Sequence, residues 1–353
     1  MNRPATVPPG RAAAEFVERV LAIAAEAATR AHATHGIALG ELTAVLNFAS
    51  EDLNQRFAPS FARIGVPQEK PTMSVALWEP RPDIAQIPVL PWPLNSYLAG
   101  AEKAGYCDDR YYVRFDVPTN ALTVFDLETR RAAYLNRWPQ TLPTWEWAGP
   151  LRWLIQRLAI EHNMVFAHAA AVARSGRAAV IAGPRGAGKS TTTLACYAAG
   201  FRYLGDDRCL LSASHGPRVY SVYSTAKVFA KEANRFAIAE LGRVAIQPQR
   251  DDDNKILIPI NQIAPDSIAD SADIGCILIP KHNGLVRSGF RRASPADAVR
   301  LLIAEIVVQA PATAARSLAI ATKICRDLPI FVLDAGTDHE DLARTVDAAL
   351  DAS

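Results

Sequence analysis

The fold is decided by one stretch near the middle of the chain, Gly183-Pro184-Arg185-Gly186-Ala187-Gly188-Lys189-Ser190. This is a complete G-x-x-x-x-G-K-[ST] motif, in which glycines let backbone N–H groups turn inward around phosphate oxygens. In such a loop the lysine ammonium reaches the β- and γ-phosphates, and the serine hydroxyl is a ligand for Mg²⁺. We therefore predict that residues 183–190, with the adjacent Thr191, bind ATP and Mg²⁺, although the motif does not distinguish ATP from GTP.

The residues on either side of this loop support the same prediction. An apolar run, Ala178–Ala182, predicts a strand that feeds the loop, and Lys189–Ala199 predicts a helix that Gly200 ends. The amino end of a helix carries partial positive charge, so it would face the same anion. A Gly-rich turn without a ligand is the alternative, but a strand before the motif and a helix after it favour a phosphate site.

Two acidic residues follow the next predicted strand, Phe201–Gly205. In open α/β sheets the carboxyl ends of the strands converge on the ligand, so Asp206 and Asp207 would lie near the phosphates. Adjacent acids there can serve Mg²⁺ and proton abstraction. Side chains alternate across a strand, so only one of them points at the γ-phosphate directly. We predict that both are catalytic and that Asp206 joins Ser190 as a metal ligand.

A histidine lies in the small, apolar run Val165–Ala173, which predicts a strand. Taken alone, His168 would more often be a hydrogen-bonded core residue than a catalytic one. The turn Ser175-Gly176 leads directly from this run into the strand before the loop. If the two strands pair as a hairpin, the imidazole lies near the phosphate site.

These residues together resemble the catalytic core of bacterial HPr kinase/phosphorylase. That family has a histidine 21 residues before the loop lysine, as His168 is before Lys189, and then a strand of the form G-x-R-x-x-x-D-D, as in Gly200–Asp207. The resemblance covers about residues 165–210. It implies an α/β fold, namely a P-loop core of the HPr kinase/phosphoenolpyruvate carboxykinase-like type with a mixed sheet, preceded by an α+β region.

The resemblance also implies a role for each matching residue. Lys189 would stabilise the transferring phosphoryl group, and Ser190 would hold Mg²⁺. Asp207, with Asp206 beside it, would activate an acceptor hydroxyl, and His168 would support this pair. The implied activity is an ATP-dependent kinase that acts on a hydroxyl of a protein or peptide serine, or of a small molecule.

Two alternative functions of this core are also consistent with the sequence. The family's downstream E-[IV]-R-G-x-G segment, which supplies a metal ligand, has no counterpart, and Tyr220–Lys227 stands in its place. This difference favours an alternative function, a nucleotide-sensing module with weak ATPase activity. A carboxykinase-like small-molecule enzyme is a weaker third reading, because further substrate and metal ligands are missing.

Further cations in the second half of the chain are candidates for contacts with phosphate or substrate. Lys227 follows a run of small residues and could neutralise developing charge, or be a solvated surface lysine. Arg250 and Lys255 bound a charged loop that is usually a solvated turn. An additional cation near the γ-phosphate is nevertheless a common requirement of phosphoryl transfer.

The 353 residues exceed the usual size of one domain, so we predict two, 1–150 and 151–353. The first would contain a helix at about 10–33, a shorter helix at about 39–54, a Pro-rich irregular connection at 66–97, and a β-meander over Tyr111–Asn136. The second would contain helices at 147–161, at 295–309, at about 312–327 and at 338–351. The first region would recognise a substrate or partner, and homo-oligomerisation is left open.

The composition excludes several classes of protein. Half of the residues are hydrophobic and 21% are charged, and the formal net charge is only +2, with no dense Lys/Arg tract. We therefore expect no nucleic-acid partner. The sequence contains no run of about 18 apolar residues, so we predict no membrane span. The five cysteines lie at neither metal-ligand nor redox spacing. We expect a cytoplasmic protein.

Overall fold

The computed structural model describes residues 9–65, 70–80, 90–91, 106–229, 235–236 and 255–353. The chain has mixed α/β structure and divides into two compact units. Unit 1 comprises the residues up to Ala58, Ile64–Leu142 and Val308–Ala312. Unit 2 comprises Pro59–Arg63, Pro143–Val307 and Thr313–Ser353.

Unit 1 is a mixed sheet whose strands run in the order β3-β1-β2-β4-β7-β6-β5. The strands pair antiparallel except for β2 with β4 and β4 with β7, which are parallel. The bounds are β1 (Ala33–Leu39), β2 (Leu42–Phe48), β3 (Ile64–Gly65), β4 (Met73–Trp78), β5 (Tyr111–Asp116), β6 (Ala121–Asp126) and β7 (Arg131–Asn136). The predicted meander is present as β5, β6 and β7.

Two helices complete the described part of unit 1. Helix α1 (Pro9–Ala28) lies on one face of the sheet, and α2 (Glu51–Phe57) begins after the N-cap Ser50. The buried side chains of α1 recur at helical spacing and pack on Trp78, Val113 and other strand residues. The predicted first helix is thus present, but it ends at Ala28 rather than near Ala33.

The helix predicted at 39–54 is wrong over most of its length. Residues 33–48 form an antiparallel hairpin, β1 to β2, and only the last residues enter α2. Gly40 has φ +69°, as tight hairpin turns require, and it breaks the apparent helical run. Every second side chain of β2 is buried, from Leu42 to Phe48, which is the period of a strand.

The irregular connection predicted at 66–97 is wrong for one segment. Residues 73–78 form β4, a largely buried strand near the centre of the sheet. The prolines that suggested irregularity flank this segment at Pro71 and Pro80, and none lies within it, so every ladder donor is retained. Most of the remaining predicted connection lies outside the described residues.

Unit 2 is built on a second mixed sheet. Its strand order is β11-β9-β10-β16-β13-β12-β8, with β18 pairing β16 and β17, and β14 and β15 form a separate two-stranded antiparallel sheet. The bounds are β8 (Met164–Ala167), β9 (Ala169–Arg174), β10 (Arg177–Ala182), β11 (Arg202–Gly205), β12 (Cys209–Ser212), β13 (Arg218–Tyr220), β14 (Thr225–Phe229), β15 (Lys255–Pro259), β16 (Ser271–His282), β17 (Gly289–Arg292) and β18 (Ile330–Ala335).

The described residues of unit 2 also form α-helices. They are α3 (Thr144–Trp147), α4 (Arg152–Glu161), α5 (Lys189–Ala198), α6 (Ile260–Ile263), α7 (Pro295–Gln309), α8 (Ala314–Cys325) and α9 (His339–Asp351). Helices α5 and α9 pack together over β9, β10 and β16, and side chains such as Leu194, Leu278 and Val346 form one core cluster. The three later predicted helices are present as α7, α8 and α9.

The single helix predicted at 147–161 is wrong at its amino end. The chain forms the short α3, then leaves helical structure until α4 begins at Arg152. Pro150 and a positive φ at Leu151 (+59°) account for the interruption. Within the described ranges, no helix is long and apolar enough to cross a membrane.

Candidate functional site

The phosphate-type loop lies between strand β10 and helix α5, as its motif predicts. Two of its glycines occupy the left-handed region, Gly186 at φ +81° and Gly188 at φ +99°. A Cβ on Gly188 would also lie 3.4 Å from the His282 ring. That distance is an ordinary van der Waals contact, so it is the backbone conformation that favours glycine at Gly188. The first residue of α5 is Lys189, so the amino end of this helix adjoins the loop.

Lys189 is folded back into the loop. Its side chain is only 7% exposed, and its ammonium donates to the carbonyl oxygens of Gly183, at 2.8 Å, and Pro184, at 3.3 Å. Burial lowers its pKa, and the nearby Asp207 and Asp206 counteract part of this shift. A cation held at this depth favours anion binding, because the anion would restore the solvation that burial removed.

His168 lies between two strands rather than inside one, and the single strand predicted over 165–173 is wrong. The chain bends at His168, between β8 and β9. Strand β8 pairs with β12, whereas β9 pairs with β10 and β11. A local run of small apolar residues contains no information on this change of partner. The hairpin expected between the histidine run and the loop strand is present as β9 and β10.

The acid pair occupies the matching connection. Residues 206–208 join β11 to β12, and these strands pair with β9 and β8 respectively. The connection at His168, from β8 to β9, and the connection at 206–208, from β11 to β12, therefore both lead from one of these strand pairs to the other. As a result His168 Nε2 lies 3.1 Å from Asp207 Oδ1. Topology brings together two residues that are far apart in sequence.

A glycine makes this turn possible. A Cβ on Gly205 would lie 2.8 Å from the Arg208 carbonyl oxygen and 2.8 Å from Cys209 Sγ. We expect Gly205→Ala to lower the free energy of unfolding by about 1–3 kcal/mol through overpacking. Gly289→Ala is the matched control, since a Cβ there meets nothing within 4 Å. Thermal unfolding measures both, and equal midpoints for the two variants would contradict the expectation.

Asp206 is the buried member of the pair. Its side chain accepts from the Lys227 backbone N–H at 2.8 Å and from the Ser190 hydroxyl, while Oδ1 is buried and has no hydrogen-bond partner among the described residues. Burial raises the pKa of Asp206, although these two hydrogen bonds oppose the shift. A buried carboxylate oxygen without a partner is an incomplete site, and a cation would complete it.

Asp207 has the opposite electrostatics. Its Oδ2 lies 3.0 Å from the Lys227 ammonium, and its Oδ1 faces His168. Burial alone would raise the pKa of Asp207, but the Lys227 charge and the hydrogen bond with His168 hold it well below its usual range. Two adjacent carboxyl groups whose pKa values are pushed apart are typical of sites in which the two groups have different tasks.

One acidic residue at the site was missed from the sequence. Glu305, on helix α7, places Oε2 at 2.9 Å from His168 Nδ1 and at 2.5 Å from Arg208 Nη2. Burial would raise its pKa, but His168 and Arg208 lower it to about 2. The only sequence signal is a lone acid within the apolar run 301–308 of a predicted helix. That signal does not reveal the partner.

The lowered pKa of Glu305 predicts how the protein responds to acid. A carboxyl group whose pKa falls from 4.5 to about 2 on folding stabilises the folded state above pH 4.5 and loses this contribution as the pH falls toward 2. We therefore expect wild type to lose more unfolding free energy than Glu305→Gln between about pH 6 and about pH 3. Urea titrations at several pH values measure this difference, and parallel pH dependences would contradict it.

The loop, His168, Asp207 and Lys227 line one cavity of about 290 Å³. Lys255 also lines it, with its ammonium 5.1 Å from the centre of the Phe229 ring. Arg250, the other cation proposed from that charged loop, lies outside the described residues. Further lining residues that the sequence did not identify are Arg235, His282, Gly336, Thr337 and His339. The cavity is thus predominantly cationic, as a polyphosphate requires.

The residues present fit a magnesium ion. Among the described residues no group of three or more His, Cys, Asp or Glu side chains could hold a metal by itself. Mg²⁺ is usually bound through one or two protein oxygens together with waters and substrate phosphates. The unpartnered Asp206 Oδ1, beside the Ser190 hydroxyl, is a donor set of that kind.

Comparison with known proteins shows only a distant likeness. No family model matches the sequence, and no curated protein matches it. Among solved structures the chain is similar to the Hpr(Ser) kinase/phosphatase from Coxiella burnetii, with 11% sequence identity, 52% of this chain and 94% of that chain covered, and a TM-score of 0.27. An overlap this loose establishes neither a shared fold nor a shared function.

Proposed function

We propose that this protein is an ATP- and Mg²⁺-dependent kinase of the HPr kinase-like type, which transfers the γ-phosphate to a hydroxyl of a protein or peptide serine or of a small molecule. The observation that carries the proposal is the position of Asp207. Its carboxylate lies in the same cavity as Lys189 and the glycine loop, between the Lys227 ammonium and the His168 imidazole.

The proposed transfer forms one phosphorus–oxygen bond and breaks another. The acceptor oxygen forms a bond to the γ-phosphorus while the bond from that phosphorus to the β–γ bridging oxygen breaks, and ADP leaves with the electron pair. The acceptor proton passes to Asp207. Lys189 and the loop N–H groups offset charge on the phosphate oxygens, so catalysis is mainly positioning and charge stabilisation.

A bound Mg²⁺ would neutralise charge on the β- and γ-phosphates. Ser190 and Asp206 are the residues that would hold it. The raised pKa of Asp206 indicates that this carboxyl group gains most from a cation, because it is buried and one oxygen has no partner. Asp207, by contrast, is paired with Lys227 before nucleotide binds and is left to act on the acceptor.

The position of Lys227 makes the basicity of Asp207 depend on nucleotide binding. While its ammonium pairs with Asp207, the low pKa of that carboxyl group makes it a weak proton acceptor. The γ-phosphate would compete for the same ammonium. Once Lys227 turns toward the phosphate, Asp207 loses its partner and its basicity rises. Nucleotide binding thus prepares the base.

The test is transfer of label from γ-labelled ATP with Mg²⁺. Purified protein is incubated with the nucleotide and a cell extract, and the products are separated into protein, peptide and small-molecule fractions. Label on an acceptor, absent with Asp207→Asn, supports the kinase. If only inorganic phosphate is released, or nothing is, the proposed transfer is wrong.

A second candidate function is a nucleotide-sensing module with weak ATPase activity. The observation in its favour is the Lys227–Asp207 ion pair, which suppresses the basicity of Asp207 until a phosphate displaces it. The missing E-[IV]-R-G-x-G segment favours the same reading. The labelling experiment separates the two functions, because a sensor binds nucleotide and labels no acceptor.

A further inference from the structure

Helix α7 contributes a carboxylate that contacts both neighbours of Asp207. Glu305 Oε2 accepts from His168 Nδ1, and the opposite ring nitrogen of this histidine faces Asp207. The same oxygen lies 2.5 Å from Arg208, the residue that follows Asp207 in the chain. One side chain therefore fixes the hydrogen-bond partner of Asp207 and the backbone connection that carries it.

Neither contact is a solvent-exposed ion pair. The Arg208 side chain is 4% exposed, so its charge is buried and needs a carboxylate nearby. A histidine ring held at only one nitrogen can rotate or exchange the proton between its two nitrogens. A carboxylate at Nδ1 keeps a hydrogen on that nitrogen and fixes the plane of the ring. The orientation of Nε2 toward Asp207 follows from this bond.

We propose that Glu305 is a positioning residue that orients Asp207 through His168. This inference rests on the proposed function for its kinetic consequence, but the contact itself does not. Since Glu305 does not itself line the cavity that contains the loop, its loss should slow the chemical step without weakening nucleotide binding. We expect a fall in kcat of about 10- to 100-fold, the usual effect of a partner that orients a reacting group.

The first measurement is NMR of protein with ¹⁵N-labelled histidine, in which loss of a signal in His168→Asn assigns the hydrogen-bonded ring N–H of His168. We expect this signal in wild type and in Glu340→Gln, an exposed control on α9. It should be lost in Glu305→Ala, and its chemical shift should move in Glu305→Gln, which keeps a neutral acceptor and guards against misfolding of the alanine variant. An unchanged signal in both Glu305 variants would overturn the proposal.

The second measurement is a double-mutant cycle on label transfer. If Glu305 acts through His168, the variant Glu305→Gln/His168→Ala should be no slower than His168→Ala alone. Multiplicative losses would show that Glu305 acts by another route and would overturn the proposal. If wild type transfers no label at all, the kinase proposal fails, and the ring N–H signal still decides whether Glu305 positions His168.

Discussion

Replacing Asp207 with asparagine is expected to lower the rate of phosphoryl transfer by about 10²- to 10⁴-fold, the range typical of losing a general base. Asparagine has nearly the same shape and can still accept from His168, but it cannot take the acceptor proton. Nucleotide affinity should not fall, because Asp207 does not belong to the phosphate loop and the loss of its charge frees the Lys227 ammonium for the γ-phosphate. Rapid-quench measurement of label transfer gives the rate, and calorimetry gives the affinity.

The matched control is Asp266→Asn. This aspartate is exposed in unit 2, and the same chemical change there should leave transfer unaltered. If Asp207→Asn transferred phosphate within about twofold of wild type, proton abstraction by Asp207 would be excluded. A loss of nucleotide binding in parallel with the loss of transfer would instead assign Asp207 to the binding of the nucleotide.

The second large effect is expected for Lys189→Met. The methionine side chain can fill the buried space along the loop, but it removes the ammonium that donates to Gly183 and Pro184. A hydrogen bond involving a charged group contributes about 1.5–3 kcal/mol, so nucleotide affinity should fall by at least about tenfold. Transfer should fall further, by about 10²- to 10³-fold, because the developing phosphate charge loses a fixed donor.

Lys323→Met controls for the loss of one positive charge, since Lys323 is exposed on helix α8. Its affinity for nucleotide should equal that of wild type. We also expect that Lys189→Met does not strongly destabilise the folded protein, because the buried methionine has no ammonium group to be desolvated. A Lys189→Met protein that is folded and binds nucleotide as wild type does would contradict the role given to this residue.

The parts of the site that the sequence predicted are those carried by contiguous residues. The loop, the strand before it and the helix after it follow from a motif whose residue types each have a local physical reason. The start of the helix predicted at 295–309 is local in the same sense, because the Ser294 hydroxyl accepts from the Asp297 N–H in its first turn. Short-range chemistry determines these elements, so a single sequence is sufficient to predict them.

The parts that the sequence missed depend on partners distant along the chain. The bend at His168 arises because β8 and β9 pair with different strands, and no residue near His168 encodes that change. Glu305 lies 137 residues beyond His168, and only the packing of α7 brings them together. Strand β4 was not predicted because prolines flank it on both sides, although its own residues form an ordinary buried strand.

The central claim is that the glycine loop and Lys189 bind a nucleoside triphosphate with magnesium. Isothermal titration calorimetry of the full chain with ATP, and separately with GTP, each in excess Mg²⁺, tests it most directly. We expect saturable heat with one site per chain for at least one nucleotide, and the loss of this heat in Lys189→Met. If protein that is shown to be folded by its thermal transition gives no heat with either nucleotide, the loop does not bind a nucleoside triphosphate.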